Sequence, residues 1–304
     1  MKKVYTNILV TLLALVPFAA GGQALPFTAV DYSPVSLAMG GVSAAGTADV
    51  ANAAFGNPAA VAFSEKKCAV NASYVTWSPS QVKTDIINVA GTYRVNDKTG
   101  VSFAYSSGTY PEYEAFDLAG TSKGMFTPNQ MYVGAGLSYA LKPELAVGIN
   151  LGYASNALSE KISYTAVSAD IYVMYNAEKF QVAAGVSELG PKVTSESGEF
   201  SLPSAAKLGL DYHLLKSEEA SMDIAVDASY YLAGASSLAV GAQYGIKDML
   251  FIRAGYRYSG ESVIPSFASA GIGIKLSGMS LNAAYLFASE TLSGTMCIGI
   301  GYSF

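Results

Sequence analysis

The sequence predicts an all-β fold, a transmembrane antiparallel β-barrel of about 14 strands with an N-terminal plug in its lumen. Three observations predict it. The chain of 304 residues is 51% hydrophobic yet only 13% charged, where an average soluble domain carries about a quarter charged residues. After the first twenty-odd residues, no unbroken run of about 18 apolar residues offers a spanning helix. Instead the apolar residues recur at every second position in segments of about ten, the length a tilted strand needs to cross a bilayer. The 21 Tyr and 30 Gly suit strands and turns better than helices.

Taken in order, the first element is an export signal. Lys2 and Lys3 form a basic start, Ile8 to Ala20 an apolar stretch, and Ala20, Gly21 and Gly22 a run of small residues. Residues 1–22 therefore read as a secretory signal peptide, too short to remain as an anchor. Cleavage is expected at Gly22–Gln23, with Ala24–Leu25 a second option. No Cys lies near that site, so the mature chain is not a lipoprotein.

Residues 23–66 do not read as strands. The stretch "SLAMGGVSAAGTADVANAAFGNPAAVAF", Ser36 to Phe63, is rich in Gly and Ala and poor in charge. Asp49 is placed to start a short helical turn and Pro58 to end it, because the residue before Pro is pushed out of the helical region. Small side chains that let backbone approach closely suit a plug inside a barrel lumen. A disordered leader is the other reading, but it would carry more charge and less Ala and Val.

The barrel is expected over residues 67–304, with strands near 68–77, 84–95, 98–106, 129–141, 144–155, 162–177, 179–188, 203–214, 220–232, 237–246, 249–259, 267–277, 279–289 and 294–304. The late ones are the cleanest. Leu238, Val240, Ala242, Tyr244 and Ile246 alternate with Ala239, Gly241, Gln243 and Gly245. A soluble sandwich also alternates, but its polar face meets bulk water and fills with Lys, Glu and Thr. Here that face holds Gly, Ala, Ser and isolated charges, and Tyr gathers at strand ends, as in the aromatic girdles of a membrane barrel. The connections agree. Counted back from the C-terminus, every second one is short: Ser277-Gly278, Lys247-Asp248, Leu215 to Glu219, Asn176 to Glu178, Lys142 to Glu144 and Asn96 to Lys98. The longest, Ser107 to Pro128 and Leu189 to Leu202, fall on the other side. Short periplasmic turns and longer outer loops are the expected asymmetry, with the C-terminus periplasmic.

The chain ends in "TMCIGIGYSF", Thr295 to Phe304. This last strand must pair with the first, since an open edge in lipid leaves backbone groups unpaired. Phe304 then sits at the periplasmic interface, with Tyr302, Ile300 and Ile298 facing lipid. A terminal aromatic on this pattern resembles the signal by which outer-membrane barrels are recognised for insertion, which implies the barrel assembly machinery as a partner. Cys68 starts the first strand and Cys297 lies toward the far end of the last, so free thiols are expected.

Met39-Gly40-Gly41 followed by Asn57-Pro58-Ala59-Ala60, ahead of the first strand, resembles the N-terminal signature of the FadL-like superfamily, nearest its PorV/PorQ branch. The resemblance implies a barrel in the outer membrane of a Gram-negative bacterium, with an N-terminal hatch to which Met39, Gly40, Gly41, Asn57 and Pro58 belong. For the FadL-like proteins it implies passive uptake of fatty-acid-like or other small hydrophobic solutes. For the PorV/PorQ branch it implies an adaptor that binds exported proteins or partner subunits in type IX secretion and transports nothing.

The charges on the lumen side are Asp170, Lys207, Asp211, Asp223, Asp227, Arg253, Arg257 and Lys275, with His213 on the same face. They are expected to pair across the lumen and hold the barrel's shape, since a confined charge needs a partner; guiding a solute is the alternative. His213 is the single histidine, so no His metal centre and no Ser-His-Asp set is expected. The reading is not an enzyme, with no cofactor. A net charge of -5 is too small and diffuse for nucleic acid. The expected partners are outer-membrane lipid and either a hydrophobic small molecule or a secreted protein. Trp77 and "TYPEYEAF", Thr109 to Phe116, lie at the outer end or in the longest outer loop, where the alternatives are capture of a ligand, packing of the loop over the mouth, or a place in the interface belt.

Overall fold

The computed structural model describes residues 23–30, 32–46, 49–77, 83–116, 120–195, 198–260, 264–288 and 294–304. The expected signal peptide lies outside the described residues. Strands β1 (Cys68–Trp77), β2 (Thr84–Arg94) and β3 (Thr99–Thr109) come first, then a loop hairpin of β4 (Tyr113–Phe116) and β5 (Ser122–Phe126). Next are β6 (Asn129–Lys142), β7 (Leu145–Ala157), β8 (Ser163–Asn176) and β9 (Phe180–Leu189), and a second hairpin, β10 (Val193–Ser195) with β11 (Gly198–Phe200). The chain finishes with β12 (Ala205–Lys216), β13 (Ala220–Tyr231), β14 (Ala235–Ile246), β15 (Leu250–Ser259), β16 (Phe267–Leu276), β17 (Met279–Ala288) and β18 (Met296–Ser303).

All but the two hairpins close into one antiparallel barrel of fourteen strands, each paired with its chain neighbour, β3 with β6, β9 with β12, and β18 with β1. Every expected strand is present, the largest shift being at β3, which runs on from Ser106 to Thr109. The seam joins Ala69 to Ser303 through Thr76 to Met296. Cys68 and Phe304 each donate a backbone N–H to the other's carbonyl at 3.0 Å. Cys297 pairs with Val75, seven residues along β1 from Cys68, or about 24 Å of extended chain. No disulfide joins Cys68 and Cys297.

The two faces of the wall divide as the alternation requires. On β18, Ile298, Ile300 and Tyr302 are exposed, while Cys297, Gly299 and Gly301 are buried. Around the outside, aliphatic side chains stand open, Leu151 at 61% and Leu208 at 55% among them. In water each would forgo about 1.5–3 kcal/mol of burial, so this surface belongs in hydrocarbon. Exposed Tyr93, Tyr139, Tyr175, Tyr244 and Tyr302 ring the end with the short turns, and Tyr74, Tyr256, Tyr258 and Tyr285 lie toward the loop end. These are two aromatic belts, one at each interface. The tight turns have the backbone a right-twisted hairpin needs: Ser277 and Gly278 both lie in the left-handed region, at φ 50° and 84°.

The N-terminal segment runs inside the barrel from the loop end to the turn end. Ala24 donates its N–H to Ser201 beside the second hairpin, at 2.9 Å. Arg94, near the β2–β3 turn, donates to the Ser64 carbonyl at 2.6 Å. Between these points lies a one-turn helix α1 (Pro34–Ala38) with a complete set of caps. Ser33 accepts from the Val35 and Ser36 N–H groups, and Pro34 takes the first position, where no N–H is needed. At its end Gly40 is left-handed at φ 76°, and Gly41 donates back to Ser36 at 2.8 Å, the six-to-one bond of a Schellman cap. A 3-10 turn, Val50–Asn52, follows Asp49 as expected. Pro58 does not end that turn: it opens another, Pro58–Phe63, again at a first position that needs no N–H.

Candidate functional site

The candidate site is the lumen and the segment within it. The segment sits on two glycine-floored seats, on β14–β16 and on β6–β7. β15 and β6 are seven places apart in the ring of fourteen whichever way it is counted, so the seats face each other.

Met39-Gly40-Gly41 occupies the first. A β-carbon at Gly255 would lie 2.1 Å from the Met39 carbonyl carbon, and one at Gly241 would lie 2.5 Å from its oxygen. Only a wall without side chains admits backbone so closely. Two wall charges then grip the chain. Arg257 donates from Nη2 to the Gly41 carbonyl at 2.8 Å and from Nε to the Gly40 carbonyl at 3.2 Å. Asp227 Oδ2 accepts the Ser43 and Ala44 N–H groups at 2.7 and 2.8 Å. Ser269 completes the seat: its Oγ accepts from Gly40 N at 3.0 Å and donates to the Ala38 carbonyl at 3.1 Å.

Asn57-Pro58-Ala59-Ala60 occupies the second. A β-carbon at Gly148 would lie 2.3 Å from Ala59 N. Here the segment supplies its own polar bonds: Asn57 Oδ1 accepts from Ala59 N at 2.9 Å, and its Nδ2 donates to the Ala44 carbonyl at 2.6 Å. Ala44, Ala59, Ala60 and Ala62 pack with Ala140, Ala146, Tyr172 and Met174 of the wall. Toward the loop end, Trp77 points inward, buried, and meets the Tyr32 ring edge-on at 5.8 Å. Burial drives the Tyr32 hydroxyl far above its ordinary pKa. Trp77 is thus a packing residue of the interior and not part of the exposed mouth.

The other expected lumen charges face inward too, each with its own setting. Asp170 accepts from Asn150 Nδ2 at 2.9 Å and from Glu188 N at 2.7 Å. Lys207 borders a cavity it shares with Asp227, Tyr231 and Arg257. Arg253 donates to Gln243 and Asn282 at 2.6 and 2.9 Å. Lys275 reaches Asp248 in the β14–β15 turn at 2.9 Å. His213 Nδ1 lies 2.7 Å from Asp223 Oδ1, and Asp211 stands beside them. The expected charge-to-charge network is therefore only part of the picture: Arg257 and Asp227 hold the backbone of the segment. Residue parity told which charges face inward, but not that their partners are peptide groups.

Two cavities border the segment. One, of about 20 Å³, touches Phe55, Trp77, Lys207 and Phe267; the other, of about 50 Å³, touches Asp49, Asn57, Ala60 and Asp211. Both have room for water and fall well below the roughly 300–1,000 Å³ of an organic ligand site. At the loop end, the β4–β5 hairpin holds Tyr113 against Phe126, ring centroids 5.9 Å apart. It leaves Phe116 and Met125 each 60% exposed.

No protein-family model matches this chain, and no curated protein matches it. Solved structures do resemble it. The toluene transporter TbuX of Ralstonia pickettii superposes with a TM-score of 0.64 at 12% identity, over 91% of this chain and 100% of that one. The Pseudomonas putida toluene transporter TodX gives 0.62 at 15% identity, over 90% and 98%. The monoaromatic hydrocarbon channel CymD gives 0.61 at 14%, over 93% and 99%. At such identities the likeness is one of fold.

Proposed function

We propose that this protein is a FadL-like barrel of the outer membrane, with its turns and C-terminus in the periplasm, that passes small hydrophobic solutes without catalysis. Residues 36–63 act as the hatch. The observation that carries the reading is how the hatch is held. Its backbone rests on glycine seats and a few polar contacts, and no disulfide ties it to the wall, so it can shift while the barrel stays closed. In the conformation described, the cavities beside it have room for water but not for an organic solute. Passage therefore requires the hatch to move, opening a path past Trp77, Phe55 and Phe267. Affinity for a fatty-acid-like solute would come from apolar burial, at roughly 25 cal/mol per Å². The likeness of fold to toluene and monoaromatic hydrocarbon channels supports a hydrophobic cargo.

The test is uptake by proteoliposomes carrying the purified barrel, with a radiolabelled fatty acid and toluene as probes. We expect uptake above empty vesicles, lost when Asn57 and Pro58 are both replaced by Ala. A correctly folded barrel that passes neither probe overturns the reading.

One observation favours a second reading, an adaptor similar to the PorV/PorQ branch. The free volume beside the segment, about 20 and 50 Å³, suits a sealed barrel, and Phe116 and Met125 offer apolar contact at the loop end. That reading predicts no uptake, together with a stable complex with a secreted protein or partner subunit that is lost when residues 113–126 are deleted.

A further inference from the structure

Near the turn end of the lumen, Asp211 and His213 stand two residues apart on the inward face of β12, and the register sets Asp223 of β13 directly opposite His213. One ligand atom from each lies within 4.8 Å of the other two. Two of the three are tied together by the 2.7 Å contact between His213 Nδ1 and Asp223 Oδ1. The third is not. Asp211 is only 6% exposed, and its Oδ1 has no hydrogen-bond partner. A buried carboxylate oxygen without a donor is costly, and something that supplies positive charge is the usual remedy.

The surroundings are organised around the group. Asp223 Oδ2 accepts from Gln243 Nε2 at 3.1 Å, and Gln243 Oε1 in turn accepts from Arg253 Nε at 2.6 Å. This chain of bonds orients the carboxylate, as outer residues orient the ligands of metal sites. Asp211 also borders the 50 Å³ cavity, which has room for the waters that would fill open coordination positions.

We propose that Asp211, His213 and Asp223 bind a divalent first-row transition cation in the barrel lumen, with zinc the best fit. One imidazole and two carboxylates form a mixed nitrogen and oxygen set that suits zinc, whereas magnesium and calcium prefer oxygen alone. The imidazole would ligate in its neutral form and the two carboxylates as anions. Gly46 lies so close that a β-carbon on it would be 3.2 Å from Asp211 Oδ2, so occupancy of the site bears on the N-terminal segment as well as on β12 and β13. This inference is independent of whether the barrel conducts a solute.

The experiment is calorimetric titration of the full-length, detergent-solubilised barrel, stripped with chelator, using zinc chloride and, separately, magnesium chloride. Folding of each sample is checked by its heat-modifiable gel mobility. We expect one saturable zinc per chain and no saturable magnesium. Asp211→Asn and His213→Gln should each weaken zinc at least a hundredfold, and Gln243→Ala about tenfold. Absent zinc binding by the folded wild type, equal magnesium binding, or unchanged affinity in either folded ligand variant overturns the proposal. Should the ligand variants not fold, X-ray absorption of the zinc-loaded wild type decides. One imidazole in the first shell supports the site, and an all-oxygen shell overturns it.

Discussion

The two seats of the N-terminal segment do the same job by different physics. On β13–β16, residues 39–44 are gripped by wall charges that bond to peptide groups: Arg257 to two carbonyls, Asp227 to two N–H groups. On β6–β7, residues 57–60 are seated by shape, with Ala59 against Gly148 and the polar bonds made by the segment's own Asn57. Truncating one wall side chain should release the first. Only added bulk, or loss of the internal cap, should disturb the second. A segment held this way can loosen at one end while staying seated at the other, which is what a hatch needs.

The contrast can be broken in four ways, from the largest effect down. Asp227→Ala strips two N–H groups of a charged acceptor, costing about 4 kcal/mol at about 2 per charge-assisted bond. Hydrogen exchange should speed up at residues 41–46 and stay slow at 57–63; equal acceleration of both would show a single unit. Gly148→Ala places a methyl against Ala59 N and should cost about 2 kcal/mol by overpacking. Its effect should be confined to 57–63, read by limited proteolysis. Arg257→Lys keeps the charge but loses the planar fork, and should cost about 1.5 kcal/mol, seen as a lowered urea midpoint for exchange at residues 40–44. Asn57→Ala removes a cap worth about 1 kcal/mol. Since Asn57 also bonds the Ala44 carbonyl, this change alone should touch both seats, and exchange confined to 57–63 would contradict the bond.

The wall was readable from sequence because each strand position meets either lipid or a crowded lumen, and that choice fixes residue size at every second place. Tyr244 and Ile246 had to face out, Gly241 and Gly245 in. The loop hairpins were not readable. Val193–Ser195 and Gly198–Phe200 are too short to establish a period, and of their six residues only Val193 is buried. Helix α1 did carry its signals, Ser33 before it, Pro34 at its first position and Gly40 after, but five residues are too few for a helical period. The grouping of Asp211, His213 and Asp223 depends on the register of β12 against β13. Alternation fixes which way a side chain points, not which residue on the next strand lies across from it. The role of Arg257 and Asp227 was hidden for a related reason: peptide groups are present at every residue, so no side-chain pattern announces them as partners.

The seam between β1 and β18 has a consequence for how the molecule is made. Neither strand has its second neighbour until the other arrives, so every shorter intermediate carries two raw edges. Stopping synthesis before Met296 would leave a sheet unable to seal in hydrocarbon, and the lumen segment without its enclosing wall. Biogenesis is therefore all-or-nothing, decided by the final strand.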